Sequence, residues 1–208
     1  MMKSGERLIF IGDSITDCGR NTDSEKIGDG YVRIIRDHLR LRQPEGIPDI
    51  INKGISGNRI TDLADRWEKD VLSLNPDYVS ISIGINDVWR QLDNPDMNQV
   101  YPGEFEQIYQ KLLSLVKVNT NARIIIMEPT IIEENMESEG NRKLQPYVDI
   151  VRRLAVMFNG VLVPEHQSFK EVLKQHPDYK LTTDGVHMNS TGNLLMARTW
   201  LRANGVED

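Results

Sequence analysis

Two rhythms of apolar and polar positions divide this chain. Five short runs are rich in apolar residues: Leu8–Ile11, Asp49–Asn52, Tyr78–Ile83, Arg123–Met127 and Val161–Pro164. Runs of that length, bounded by turn residues, predict strands buried on both faces of a sheet. Between them, apolar residues recur every three or four positions. Tyr31, Ile34, Ile35, His38 and Leu39 share one helix face, and so do Ile60, Leu63, Trp67, Val71 and Leu74, after Asn58 or Thr61 as a cap. Phe105, Ile108, Leu112 and Val116 mark a third helix, and Leu144, Val148, Val151, Ala155 and Phe158 a fourth. A shorter helix is expected from Ser168 to Gln175. The last is expected from Ser190 to Ala203, capped by Asn189 or Ser190 and stopped at Asn204-Gly205.

Strands that alternate with helices build βαβ units. The expected fold is therefore α/β, a three-layer α/β/α sandwich around a five-stranded parallel sheet, with residues 1–208 forming a single domain. Three connections stand out. Thr16–Gly30 is polar and follows the first strand. Val88–Gly103 follows the third and carries Trp89 and Arg90. Ile131–Gly140 is acidic and expected to be exposed. Long loops at the carboxyl ends of strands usually shape a site.

Composition narrows the partners. Of 208 residues, 39% are hydrophobic and 27% charged, and the formal net charge of −6 disfavours nucleic acid or an anionic membrane as the main partner. No apolar run has the length of a membrane span. Met1 to Arg7 leads into the first strand at once, which leaves no room for a secretory signal and points to a cytoplasmic protein. Cys18 is the single cysteine, so neither an internal disulfide nor a cysteine metal site is available. His38, His166, His176 and His187 contain no H-x-x-x-H pair, and no metal or other cofactor is expected.

The first strand ends in Gly12-Asp13-Ser14, and a serine at the carboxyl end of a parallel strand is a candidate nucleophile. It needs a base, a group that orients the base, and donors for the oxyanion formed on attack. The base candidate is His187, in Asp184-Gly185-Val186-His187. A loop of that length lets Asp184 accept the Nδ1 proton and leaves Nε2 facing Ser14. The oxyanion donors are the N–H of Ser14, the N–H of Gly57 and the side-chain amide of Asn86. Asp13 is expected to fix the turn that carries Ser14, and it stands with Trp89 and Arg90 as a candidate substrate contact. Asp17, Arg20 and Tyr31 are weaker candidates. His166 is expected near the rim. Each of these segments also has an ordinary structural reading as a turn, a cap or packing.

Gly12-Asp13-Ser14-Ile15, Gly57, Gly84-Ile85-Asn86-Asp87 and Asp184-Gly185-Val186-His187 resemble, in order, the four blocks of the SGNH hydrolase (GDSL esterase/lipase) superfamily. The resemblance places the catalytic serine on Ser14, the glycine on Gly57, the asparagine on Asn86, and the triad histidine and aspartate on His187 and Asp184. It implies a flavodoxin-like sandwich. A narrower resemblance, carried by Phe10–Arg20, Asn52–Asn58 and Gly84–Arg90, is to the intracellular acetylxylan esterases of that superfamily. It implies an acetylated sugar or other small ester as substrate, and a homo-oligomer. An aromatic residue can precede the triad aspartate in such enzymes, whereas Thr183 stands here. Two further readings stay open: a short-chain acyl esterase, thioesterase or lysophospholipase-like hydrolase, and a carbohydrate-binding module without turnover.

Overall fold

The computed structural model describes residues 2–206. Its sheet has five strands: β1 (Arg7–Gly12), β2 (Asp49–Gly54), β3 (Tyr78–Ser82), β4 (Arg123–Met127) and β5 (Val161–Val163). All pair in parallel, in the order β2-β1-β3-β4-β5. Parallel strands covered on both faces must be apolar throughout, and Leu8, Ile9, Phe10 and Ile11 are fully buried. The fold is thus the expected α/β sandwich.

The chain leaves β1 in one direction across the sheet and leaves β2 in the other. The switch falls between β1 and β3, where open α/β sheets bind ligands. The short α1 (Ser14–Asp17) follows β1 directly, and α2 (Tyr31–Arg42) makes the first crossover. The second is α3 (Ile60–Asp70), followed by a 3₁₀ turn at Leu72–Leu74. α4 (Ile85–Asp93) and α5 (Pro102–Asn119) join β3 to β4, and α6 (Glu139–Met157) joins β4 to β5. α7 (Glu165–Gln175) and α8 (Ser190–Ala203) complete the chain. α8 packs between α2 and α7 on one face, and α5 packs between α3 and α6 on the other.

Four sequence expectations need correction. The connection after β3 is not a loop throughout, because residues 85–93 are helical and place Trp89 and Arg90 on α4. Its apolar residues Ile85, Val88 and Leu92 lie on one helical face, a pattern too short to show plainly in the sequence. The helix expected through Leu74 breaks at Val71 and continues as the 3₁₀ turn. Neither Asn58 nor Thr61 caps α3. The N–H of Ile60 instead points at the Asp87 carboxyl oxygens, 3.2 and 3.3 Å away, and the N–H of Arg59 donates to Asp62 Oδ2 at 2.7 Å. The acidic 131–140 segment is exposed at Glu133, Asn135, Glu137 and Glu139, as expected, but is anchored at both ends rather than exposed throughout. Ile131, Ile132, Gly140 and Asn141 are buried, and Asn141 Oδ1 accepts from the N–H of Ile132 at 2.9 Å.

Candidate active site

The end of β1 is built by close approach. Gly12 lies against the Ser82 carbonyl, and Gly54 at the end of β2 lies against the backbone of Asp17, so neither position has room for a methyl group. Asp13 then turns the chain. Its Oδ1 accepts from the N–H of Ile15 at 3.0 Å and caps α1. Ser14 becomes the first residue of α1, where a backbone N–H has no partner within the helix.

Two more candidate donors follow β2 and β3. Gly57 has φ +82° in the turn after β2, a conformation that a Cβ would strain. Space is open there, so conformation rather than crowding calls for glycine. Asn86 lies in the first turn of α4, and its Nδ2 donates to the Asn58 carbonyl at 3.1 Å. That bond uses one amide hydrogen and leaves the other available.

The remaining two groups come as one local unit before α8. Asp184 Oδ1 accepts from the N–H of Val186 at 3.0 Å and of His187 at 2.8 Å. Its Oδ2 lies 2.6 Å from His187 Nδ1. An ionised carboxylate only accepts, so Nδ1 carries the proton and Nε2 is left as acceptor. That Nε2 lies 2.8 Å from Ser14 Oγ, across 173 residues of sequence. Partial burial pushes the Asp184 pKa up, but the bonds from the His187 ring and from the two backbone N–H groups outweigh it and hold the carboxyl at about 2. Asp184 and His187 are both about half exposed, so solvent reaches the base directly.

Ser14, Gly57, Asn86, Trp89, Arg90 and His187 line one cavity of about 400 Å³. The sequence expectation for these six therefore coincides with a single hollow. Beneath it lie two buried carboxyls. Burial pushes Asp13 up to about 7, against the N–H of Ile15 and the attraction of His187. Burial also pushes Asp87 up to about 7, against the N–H of Ile60 and the charge of Arg59, with Asp13 raising it further. Below neutral pH both favour the uncharged form, so neither adds a fixed negative charge next to Ser14 and Asn86.

The sequence profile of the GDSL-like Lipase/Acylhydrolase family matches residues 10–195. The chain belongs to that family. Its relatives include an acetylxylan esterase from Geobacillus stearothermophilus, 42% identical over 98% of this chain and 96% of that protein. The crystal structure of an acetylxylan esterase from that organism superposes with a TM-score of 0.91 at 41% identity, covering 99% of this chain and 97% of the other. An alpha/beta hydrolase enzyme from the metagenome of Lake Arreo, Spain, gives a TM-score of 0.93 at 36% identity, with 100% and 98% covered. Solved catalytic mutants of the Geobacillus enzyme replace a serine, an aspartate or a histidine with alanine.

Some expected contacts of this GDSL-like hydrolase lie elsewhere. Asp13 is 1% exposed and serves as a cap, not a substrate contact, because its carboxyl is turned back onto the backbone. Tyr31 is fully buried, with its hydroxyl 3.0 Å from Thr16 Oγ1. Asp17 is buried and accepts from Ser56 Oγ at 2.8 Å, while Arg20 Nε donates to the Gly54 carbonyl at 2.5 Å. His166 is buried away from the cavity, with Nδ1 2.6 Å from the Thr130 carbonyl.

Three supporting residues escaped the sequence reading. Arg66 donates to the carbonyls of Gly12 and Lys53 and to Asn58 Oδ1, at 3.0, 2.8 and 2.7 Å, and so joins the ends of β1 and β2 to the residue that holds Asn86. In sequence it reads only as one half of an i,i+4 ion pair with Asp70. Asn52 ties β2 to α1 and to the loop after it, donating to the carbonyls of Thr16 and Ile27 at 2.6 and 2.7 Å. Glu134 Oε1 accepts from the N–H groups of Leu181 and Thr182 at 3.0 Å each and from Thr182 Oγ1 at 2.7 Å, which seats the loop that carries Asp184 and His187.

Proposed function

We propose that this GDSL-like hydrolase is a serine esterase that removes acetyl groups from xylo-oligosaccharides or related sugars through an acyl-enzyme. One observation carries the reading: the unbroken run from Asp184 Oδ2 through His187 to Ser14 Oγ, 2.6 and 2.8 Å long, ending in the cavity that Gly57 and Asn86 line. Similarity to acetylxylan esterases along nearly the whole chain supports the substrate class.

In this mechanism His187 Nε2 takes the Ser14 hydroxyl proton as Oγ attacks the ester carbonyl. The N–H groups of Ser14 and Gly57 and the Asn86 amide hold the oxyanion. Asp184 orients the imidazole and stabilises its charged form. His187 then protonates the departing sugar oxygen. The same base activates the water that releases acetate and restores Ser14. Trp89 and Arg90 form the wall against which the sugar lies. An aromatic face and a fork of N–H donors suit a sugar ring and its hydroxyls.

Acetate release from acetylated xylo-oligosaccharides, compared with Ser14→Ala, tests the reading. Turnover by the wild type and loss of nearly all of it in the variant, with the circular dichroism spectrum unchanged, is expected. Substantial turnover by Ser14→Ala overturns the nucleophile. Cleavage of aryl or lipid esters with none of acetylated sugars overturns the substrate class. Binding of those sugars without any hydrolysis points to a binding module.

A further inference from the structure

Ser14 sits between two hollows, not at the bottom of one. Ser14, Ser56 and His187 line both. The larger, about 400 Å³, extends past Gly57 and Asn86 to Trp89 and Arg90. The smaller, about 190 Å³, lies on the other side, bounded by Ile15, Cys18, Met188 and Asn193.

Their chemistry differs. In the smaller hollow the polar side chains are already engaged. Asn193 Oδ1 accepts from the N–H of Tyr31 at 2.9 Å, and its Nδ2 donates to the carbonyls of Met188 and Asn189 at 3.2 and 3.1 Å. Ser56 Oγ donates to Asp17 Oδ2 at 2.8 Å. What remains is the isoleucine, the thioether and a cysteine, which packs as a small hydrophobe. A sugar hydroxyl placed there would lose its water partners and gain few others. The larger hollow has what the smaller lacks. Arg90 keeps N–H groups beyond the one on Asp93, with Nη2 on the side of Gly57, and Asn86 keeps its second amide hydrogen.

An ester bound with its carbonyl oxygen at the donors of Ser14, Gly57 and Asn86 has two substituents left to place, the acyl chain and the alcohol. We infer that the smaller hollow is the acyl subsite, with Met188, Ile15 and Cys18 setting the acyl length, and that the larger receives the alcohol. This assignment rests on the esterase reading above. A methyl group is similar in size to one water, whose share of the liquid is about 30 Å³. An acetyl methyl therefore fits within the smaller hollow, and a longer chain meets Met188, Ile15 or Cys18 at its wall.

The test compares kcat/KM on p-nitrophenyl butyrate and p-nitrophenyl acetate. Met188→Ala widens the smaller hollow and is expected to raise the butyrate-to-acetate ratio by about tenfold or more, the scale on which apolar pockets discriminate single methylenes. Cys18→Ala removes only a thiol, is safer for folding, and should move the ratio the same way by less. Trp89→Ala should leave this ratio within about twofold and lower the preference for acetylated xylobiose over p-nitrophenyl acetate. A ratio that Cys18→Ala and any folded Met188→Ala leave unmoved, or one that Trp89→Ala moves, overturns the assignment while the esterase reading stands. A wild type that cleaves no ester overturns both.

Discussion

Glu165, the first residue of α7, is fully buried, and neither carboxyl oxygen has a hydrogen-bond partner among the described residues. Burial, with a smaller contribution from the neighbouring charge of Glu128, pushes its pKa well above the usual carboxylate range. Glu128 is equally buried but lies 2.6 Å from Arg152 Nε, so the proton belongs on Glu165. A folded pKa raised above the unfolded one gives stability that is complete below the unfolded value. That stability is lost as pH rises through the folded value. Within that window each pH unit is worth about 1.4 kcal/mol. As pH rises above about 5 the wild type should thus lose stability relative to Glu165→Gln or Glu165→Met, neither of which titrates, by up to about 1.4 kcal/mol per pH unit until the folded value is passed. For a chain of this size that amounts to about 3–6 °C in Tm per unit. Asp13 and Asp87 titrate alike in all three proteins and cancel in the difference. Glu165→Met should also exceed Glu165→Gln in stability by about 1–3 kcal/mol, the penalty of burying an unbonded polar group. Urea unfolding at pH 5, 6 and 7 supplies the three curves. Wild-type and variant stabilities that run parallel with pH would refute the reasoning, since Glu165 would then be ionised and compensated in the folded state.

Three other substitutions test the site and its support. Asn86→Ala should lower kcat on p-nitrophenyl acetate by about 10²–10³ with little change in KM, the signature of a donor used only in the transition state; a change confined to KM would reassign Asn86 to ground-state binding. Asp184→Asn should lower kcat by about 10³–10⁴ because it favours the wrong imidazole tautomer. With a folded pKa of about 2, lowered from 3.8, the stability Asp184 contributes is present above pH 4 and fades as pH falls toward 2, so acid unfolding of the variant monitored by fluorescence should lack that component. Glu134→Ala removes the acceptor of three donors and should reduce kcat more than KM by loosening the seat of His187; steady-state kinetics that match the wild type would show that the loop holds itself.

Much of this was legible because the physics is local. Buried parallel strands are apolar without alternation, and the inner β1 and β4 appear as such, β4 matching from Arg123 to Met127, whereas the edge strand β2 carries Asp49, Asn52 and Lys53. The last helix starts after Asn189, whose Oδ1 accepts from the N–H of Gly192 at 2.9 Å, as its sequence signal implies. The Asp184–His187 pairing was legible because a three-residue spacing leaves few ways to fold. What stayed hidden was supplied from a distance. α3 is capped by Asp87, 27 residues beyond Ile60, and no local signal marks that bond. α4 opens at Gly84 with φ +123°, which looks like the turn it also is. Asp13 fixes the turn that carries Ser14, as its sequence implies, but it is not the substrate contact also expected there, because burial is a property of the packed chain. The supporting role of Glu134 lies in contacts 47 and 48 residues away.

The split origin of the triad bears on how the protein is made. Ser14 and the proposed oxyanion donors all precede residue 87, while Asp184 and His187 arrive together, preorganised by their own loop, just before α8. Synthesis therefore supplies Ser14 well before the loop that carries its proton acceptor. Until that loop seats beside the end of β1, Ser14 Oγ lacks the partner it has at His187 Nε2. On the proposed mechanism, ester turnover then reports the seating of that loop, which global probes of folding do not resolve.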